Sequence, residues 1–178
     1  MLSNYNKYKV LKVFFDDPLP KTGLQLREIS RKISLAPKSV SIYLKELEKE
    51  GFVRKEKHRV NKYPLYYANK DSDIFKLYKK IDMLISIEEC GVVEHLNDKC
   101  LPDVIILFGS ASRGEDTAES DVNLFLQSKQ KDIDLKHFEK KINRKINIFF
   151  SEHFNKLSNE LRNNIANGIK LRGYLKIF

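Results

Sequence analysis

Leu26-Arg27-Glu28-Ile29-Ser30-Arg31, followed by Lys38-Ser39-Val40-Ser41-Ile42-Tyr43-Leu44-Lys45-Glu46-Leu47-Glu48-Lys49-Glu50-Gly51-Phe52-Val53, decides the architecture of the first half of the chain. Arg27–Ile33 reads as a short helix with Ile29 and Ile33 on one face. Pro37 suits a first helical position, where its missing amide hydrogen costs nothing. From there Val40, Tyr43, Leu44 and Leu47 keep helical spacing as far as Glu50, and Gly51 supplies the C-terminal cap. The other face of this second helix offers Lys38, Ser39, Ser41, Ile42 and Lys45. These are mostly short polar and basic groups, suited to base edges and phosphates.

Working outward, Tyr8, Leu11 and Phe15 predict a first helix over about 4–15, stopped by Pro18 and Pro20. Leu24-Gln25-Leu26 reads as a short strand. Phe52–Lys57 and Tyr63–Tyr67 read as the two strands of a hairpin, joined by His58–Lys62, with Pro64 restricting the second strand to an edge. The hairpin carries Arg54, Lys55, Lys57, His58, Arg59 and Lys62. A helix of this kind fits the major groove, where base edges carry a sequence code, and hairpin cations can replace phosphate counterions. These residues resemble winged-helix bacterial and archaeal transcription regulators. The resemblance implies duplex DNA as partner. It assigns contacts to Lys38, Ser39, Ser41, Ile42, Lys45, Arg54, Lys57, Arg59 and Lys62.

Charge distribution supports the same division. The 178 residues carry a formal charge of +9. Residues 1–80 hold 19 Lys and Arg against 9 Asp and Glu, or +10, while the remainder holds 14 against 15, or −1. A basic module beside a neutral one points to an anionic partner for the first half only. The apolar fraction of 42% excludes a disordered chain. Val104–Phe108, the longest strictly apolar run near the middle, is far short of the ~20 residues that cross a membrane. The N-terminus has no signal-peptide pattern. Two cysteines, Cys90 and Cys100, with four scattered His, make neither a disulfide framework nor a zinc pattern. Both read as reduced thiols in a cytoplasmic protein.

Ile74, Leu77, Tyr78, Ile81, Leu84 and Ile85 predict a long amphipathic helix over roughly 72–87. The stripe Ile74, Leu77, Ile81, Leu84 and Ile85 is wider than one small domain needs. It points to a homodimer in which a shared helix sets two recognition helices about one DNA turn apart. Beyond it, Val92–Asn97 reads as a helix, and Asp103–Phe108, Val122–Leu126 and Ile146–Phe150 as strands. Leu135, Phe138 and Ile142 mark a helix, about 152–167 is helical, and Tyr174–Phe178 reads as a last strand.

The sharpest motif in the second half is Phe108-Gly109-Ser110-Ala111-Ser112-Arg113-Gly114-Glu115, then Ser120-Asp121-Val122-Asn123-Leu124-Phe125. A buried strand ends in Gly-Ser, a short helix follows, and an acidic residue opens the next strand. Glycine lets the backbone approach a phosphate, and Ser110 adds a hydroxyl. Residues two apart on a strand share a side, so Asp121 and Asn123 face together. This resembles the minimal nucleotidyltransferases of the DNA polymerase beta superfamily. The resemblance implies nucleotide contacts at Gly109, Ser110 and Arg113, metal contacts at Asp121 and Asn123, and Mg²⁺ with a nucleoside triphosphate as ligands. The chain departs from the family where carboxylates are expected. The second position is Asn123, and the third strand offers Asn147. One carboxylate is a weak basis for two-metal chemistry, and Glu115, Asp116 and Glu119 in the spacer are substitute acids that no spacing requires. No catalytic residue is assigned.

The two halves together resemble winged-helix regulators carrying a C-terminal nucleotidyltransferase-like domain. In these the third strand often reads Arg-x-φ-Asn, as Arg144-Lys145-Ile146-Asn147 does here. The expected class is α+β, with a winged helix at 1–71, a connecting and dimerising helix at 72–90 and a nucleotidyltransferase-like domain at 91–178. The expected function is DNA-binding regulation with a degenerate nucleotidyltransferase domain. Two rivals stay open: an active nucleotidyltransferase that modifies a protein or nucleic acid, and an antitoxin-like interaction module.

Overall fold

The computed structural model describes residues 6–16, 23–58 and 62–177. Contacts divide the chain into two compact units, Met1–Lys79 and Lys80–Phe178.

The N-terminal unit is built on α1 (Asn6–Asp16), α2 (Leu26–Ile33) and α3 (Pro37–Lys49). It continues into the antiparallel pair β1 (Val53–Lys57) and β2 (Pro64–Ala68). The predicted stripe of α3 goes inward: Val40, Leu44 and Leu47 are buried beside Val10, Phe14, Ile29, Phe52 and Phe75. Each such side chain contributes roughly 1.5–3 kcal/mol on leaving water. The expected strand at Leu24–Leu26 shrinks to one residue. Leu24 exchanges two 2.9 Å hydrogen bonds with Tyr66, but Leu26 already begins α2. There Glu28 Oε2 accepts from the Gln25 amide at 3.4 Å, holding the helix start. In β1 only Val53 is buried, so Arg54–Lys57 stand in solvent. Pro64 takes the first position of β2, opposite Lys57, where its missing N–H breaks no central ladder.

Helix α4 runs from Asp73 to Cys90, longer than the sequence predicts. Of the predicted stripe, Leu84 packs against the C-terminal core and Tyr78 meets the Phe52 ring at 5.0 Å, while the fully buried residues are different ones. Phe75 is buried in the N-terminal core, and Met83, Ile87 and Cys90 are buried in the C-terminal one. Lys79 is buried too, continuing the same i, i+4 line. The predicted stripe is a second apolar face, on which Ile74, Leu77 and Tyr78 are 38%, 42% and 39% exposed.

The C-terminal unit follows the order α5 (Val92–Cys100), β3 (Val104–Phe108), α6 (Ser110–Arg113), β4 (Val122–Leu126), α7 (Lys136–Ile142) and β5 (Ile146–Phe150). A 3₁₀ turn at Phe154–Lys156, α8 (Asn159–Ala166) and β6 (Ile169–Gly173) complete it. The strands form one mixed sheet in the order β5-β4-β3-β6. β3 pairs antiparallel with β4 and β6, and β4 pairs parallel with β5. Strand alternation divides the core. Ile105, Leu107, Val122, Leu124 and Leu126 meet Val92, Val93 and Leu96 of α5. Val104, Ile106, Phe108 and Phe125 meet Phe154 and Ile165 on the other face.

The last strand is Ile169–Gly173, not Tyr174–Phe178 as the sequence suggested. Ile169 and Leu171 pack against the sheet while Lys170 and Arg172 point outward, a period-two pattern. Gly173 ends the strand at φ +77°, so close to Asp103 that a Cβ would lie 2.1 Å from its carbonyl oxygen. Tyr174, just beyond, is 74% exposed, and Phe178 lies outside the described residues.

Candidate nucleic-acid interface and strand-end polar site

With its apolar stripe spent on the core, α3 presents Lys38, Ile42 and Lys45 outward, with Ser39 and Ser41 half-buried. Lys38, Ile42 and Lys45 recur at helical spacing and so share a face. Ile42 is 52% exposed, an apolar side chain no core contact explains. The acidic residues of α3 and its cap would oppose an anionic partner, but Glu46 and the capping Glu50 are engaged elsewhere. Lys7 Nζ of α1 lies 3.2 Å from Glu46 Oε2 and 2.5 Å from Glu50 Oε1. Burial disfavours its ammonium, yet hydrogen bonds to Glu50 and Glu46 outweigh that and hold the Lys7 pKa above its ordinary value. Sequence reading missed this role for Lys7, because the pairing spans 43 residues.

Arg54, Lys55, Lys57 and Lys62 are all exposed on the hairpin. His58 closes its base: its amide donates to the Tyr63 carbonyl at 2.8 Å, and its ring stacks on Tyr63 at 4.6 Å between centroids. Lys62 takes a left-handed conformation at φ +57° and donates its amide to the His58 carbonyl at 3.0 Å. Arg59, the remaining predicted contact, lies outside the described residues.

In the C-terminal unit the sheet register brings three strand ends together. Asn123 of β4 lies opposite Phe108 on one side and Asn147 of β5 on the other. Gly109 follows at φ +80° and ψ −156°, a conformation open essentially to glycine alone. A Cβ there would sit 3.0 Å from Asn123 Nδ2. Asn147 Nδ2 donates to Asp121 Oδ2 at 2.9 Å and to Asn123 Oδ1 at 3.3 Å. Asp121, Asn123 and Asn147 thus form one hydrogen-bonded group beside Gly109. Ser110 is half-buried at the start of α6. Arg113, the other predicted nucleotide contact, is exposed and donates its Nε to Glu115 Oε2 at 2.8 Å, so its charge is taken up locally.

Of the spacer acids, Glu115 pairs with Arg113, and Asp116 has a partner farther along the chain. Asp116 is buried and lies 3.4 Å from Arg144 Nη2, while Arg144 Nη1 donates to the Ser120 carbonyl at 3.3 Å. Ser120 Oγ accepts from the Thr117 amide at 2.9 Å. Arg144 thereby clamps the 116–120 loop immediately before Asp121. This pairing has a sequence trace only in Arg144, the first residue of the Arg-x-φ-Asn run.

The donor set fits a divalent cation poorly. Mg²⁺ favours carboxylate and phosphate oxygens in octahedral array. Here one carboxylate and one amide oxygen converge on an N–H donor. Among the described residues no three His, Cys, Asp or Glu side chains come together as a metal-ligand group. No described helix is long and apolar enough to cross a membrane.

A three-helix core that presents its third helix outward, with a basic two-stranded hairpin after it, defines a winged helix-turn-helix. Residues 4–54 match the model of the winged helix-turn-helix DNA-binding family. The chain's N-terminal part is therefore a winged helix-turn-helix DNA-binding domain. No curated protein matches the chain.

Proposed function

We propose that the chain is a DNA-binding transcription regulator that acts as a homodimer in the cytoplasm. Its C-terminal unit is a degenerate nucleotidyltransferase domain with slow transfer or none. The observation that carries the DNA reading is the outward face of α3. Lys38, Ile42 and Lys45 stand free of the core while Lys7 draws Glu46 and Glu50 into ion pairs. Lys38, Ser39, Ser41, Ile42 and Lys45 address the major groove, and Arg54, Lys57, Arg59 and Lys62 the backbone. The exposed face of α4 at Ile74, Leu77 and Tyr78 supports self-association, since an apolar helix face of this kind gains by burial.

The nucleotidyltransferase reading is supported by the alternation of helix and strand from α5 to β5, and by Gly109-Ser110 at the end of β3 beside Asn123. Gly109, Ser110 and Arg113 are its proposed nucleotide contacts. A lone carboxylate, Asp121, is too few acids to steady both attacking and leaving oxygens, so no transfer step is assigned.

Titration of the full chain with duplex DNA at several salt concentrations tests the first part. Binding that weakens on Lys62→Ala for all sequences alike, and that loses sequence preference on Lys45→Ala, supports it. A turnover assay with nucleoside triphosphates and Mg²⁺ or Mn²⁺ tests the second. Robust turnover by the unaltered chain contradicts it.

A further inference from the structure

We infer that the side-chain amide of Asn147 occupies the point where a cation would otherwise sit, and that this one residue makes the strand-end site independent of divalent metal. The inference stands apart from DNA binding, since it rests on three side chains of the C-terminal unit.

Two oxygens converge on one atom: Asp121 Oδ2 at 2.9 Å and Asn123 Oδ1 at 3.3 Å from Asn147 Nδ2. The orientation of the amide is set by chemistry. An ionised carboxylate only accepts, so the group facing Asp121 must be the NH₂ and not the carbonyl of Asn147. The amide has two N–H donors, which suffices for both oxygens. The position is held by the backbone, because Asn123 and Asn147 are register partners across the parallel β4–β5 pair. The Arg144 clamp on Ser120 fixes the residue before Asp121. A hydrogen-bond donor here does electrostatically what a cation does. It places positive charge density between acceptor oxygens, without charge-dependent affinity or a hydration shell to strip. A metal could enter only by displacing the amide and leaving its donors unmet, which is costly in a half-buried site.

The consequence concerns what single substitutions do. Asn123→Asp adds a carboxylate but leaves the donor in place, so the new oxygen is satisfied by Asn147 and no cation is called for. Asn147→Asp removes the donor and turns the same point into a meeting of two carboxylates and an amide oxygen. Like charges at that range repel, and at neutral pH a divalent cation relieves that repulsion.

Full-length protein and variants are titrated with Mn²⁺, followed by its electron paramagnetic resonance signal and by thermal melting. The unaltered chain and Asn123→Asp are expected to leave the free Mn²⁺ signal unchanged and to melt alike with and without the ion. Asn147→Asp is expected to melt lower in chelator. It should recover with Mn²⁺, by about 5–10 °C at a hundredfold excess over Kd. Should Asn147→Asp fold only when Mn²⁺ is present, that too bears the inference out. Stoichiometric Mn²⁺ binding by the unaltered chain that Asp121→Asn abolishes would overturn it. So would Mn²⁺ binding by Asn123→Asp, or an Asn147→Asp variant that folds and ignores the ion. If Asn147→Asp folds under no condition, the unaltered chain and Asn123→Asp decide the question alone.

Discussion

Arg144 and Asp116 show how much a single pair can carry. Both side chains are nearly out of water, at 9% and 1% exposure. Removing one partner of a buried pair strands the other charge, a cost of about 3–5 kcal/mol. Arg144→Met is expected to destabilise by that amount in urea unfolding. Adding Asp116→Leu should return much of it, since the buried carboxylate that Arg144 neutralised is then gone too. The Glu28–Lys32 pair, 3.5 Å apart and well exposed, makes the contrast. Glu28→Gln should change stability by no more than ~1 kcal/mol through that pair. The thiols give a pH test. Burial pushes both Cys90 and Cys100 above the ordinary thiol range, opposed at Cys100 by nearby Lys131. A raised thiol pKa means the unfolded chain releases its proton first as pH rises. Stability is therefore complete below the ordinary thiol value and declines as pH climbs through it. A thiol reagent at mildly alkaline pH should label neither cysteine rapidly until denaturant is added.

At the scale of elements, α3 was readable because burial, capping and punctuation agreed: Pro37 starts it, Gly51 follows it, and Val40, Leu44 and Leu47 face inward as their spacing requires. Leu44→Ala should cost about 2–5 kcal/mol, measured by urea unfolding, because its site in the three-helix core is fully closed. Helix α4 was legible as a helix but not in its facing. Ile74, Leu77 and Ile81 make as good a stripe as Phe75, Met83 and Ile87, and periodicity cannot choose between two apolar faces of one helix. The part of that face left exposed, at Ile74 and Leu77, is the one proposed for self-association. Leu77→Glu is expected to convert dimer to monomer in light scattering while leaving the circular dichroism spectrum unchanged. A dimer that survives both Leu77→Glu and Ile74→Glu would place the interface elsewhere. The pattern points past β6 to Tyr174–Phe178 because Gly168 and Gly173 bracket the strand and neither favours one. The strand between them alternates two apolar with two basic residues, a weak signal beside a charged surface. At the strand ends, alternation put Asp121 and Asn123 on one face, and the nucleotidyltransferase resemblance implied Gly109 and Asn147 beside them. The Asn147 bonds to Asp121 and Asn123, and the Arg144–Asp116 pair, were not, since both need the register of β4 on β5.

For the molecule as a whole, the charge division is the largest-scale fact. An excess of +10 over residues 1–80 beside −1 over the rest points to the winged-helix unit for nucleic-acid contact. Replacing the strand-end residues Asp121 or Asn147 should then leave DNA affinity within about twofold, or ~0.4 kcal/mol. The most direct test of DNA binding is the affinity of the full chain for duplex DNA as a function of salt, compared with the double variant Lys57→Ala, Lys62→Ala. If about five phosphates are contacted per subunit, log K should fall against log salt with a slope near −4 to −5 for each subunit bound, or about −9 for a dimer. The double variant should bind more weakly at every salt concentration and fall less steeply. An unaltered chain with no measurable duplex affinity at low salt would contradict the account, as would a double variant that binds as tightly and with the same slope.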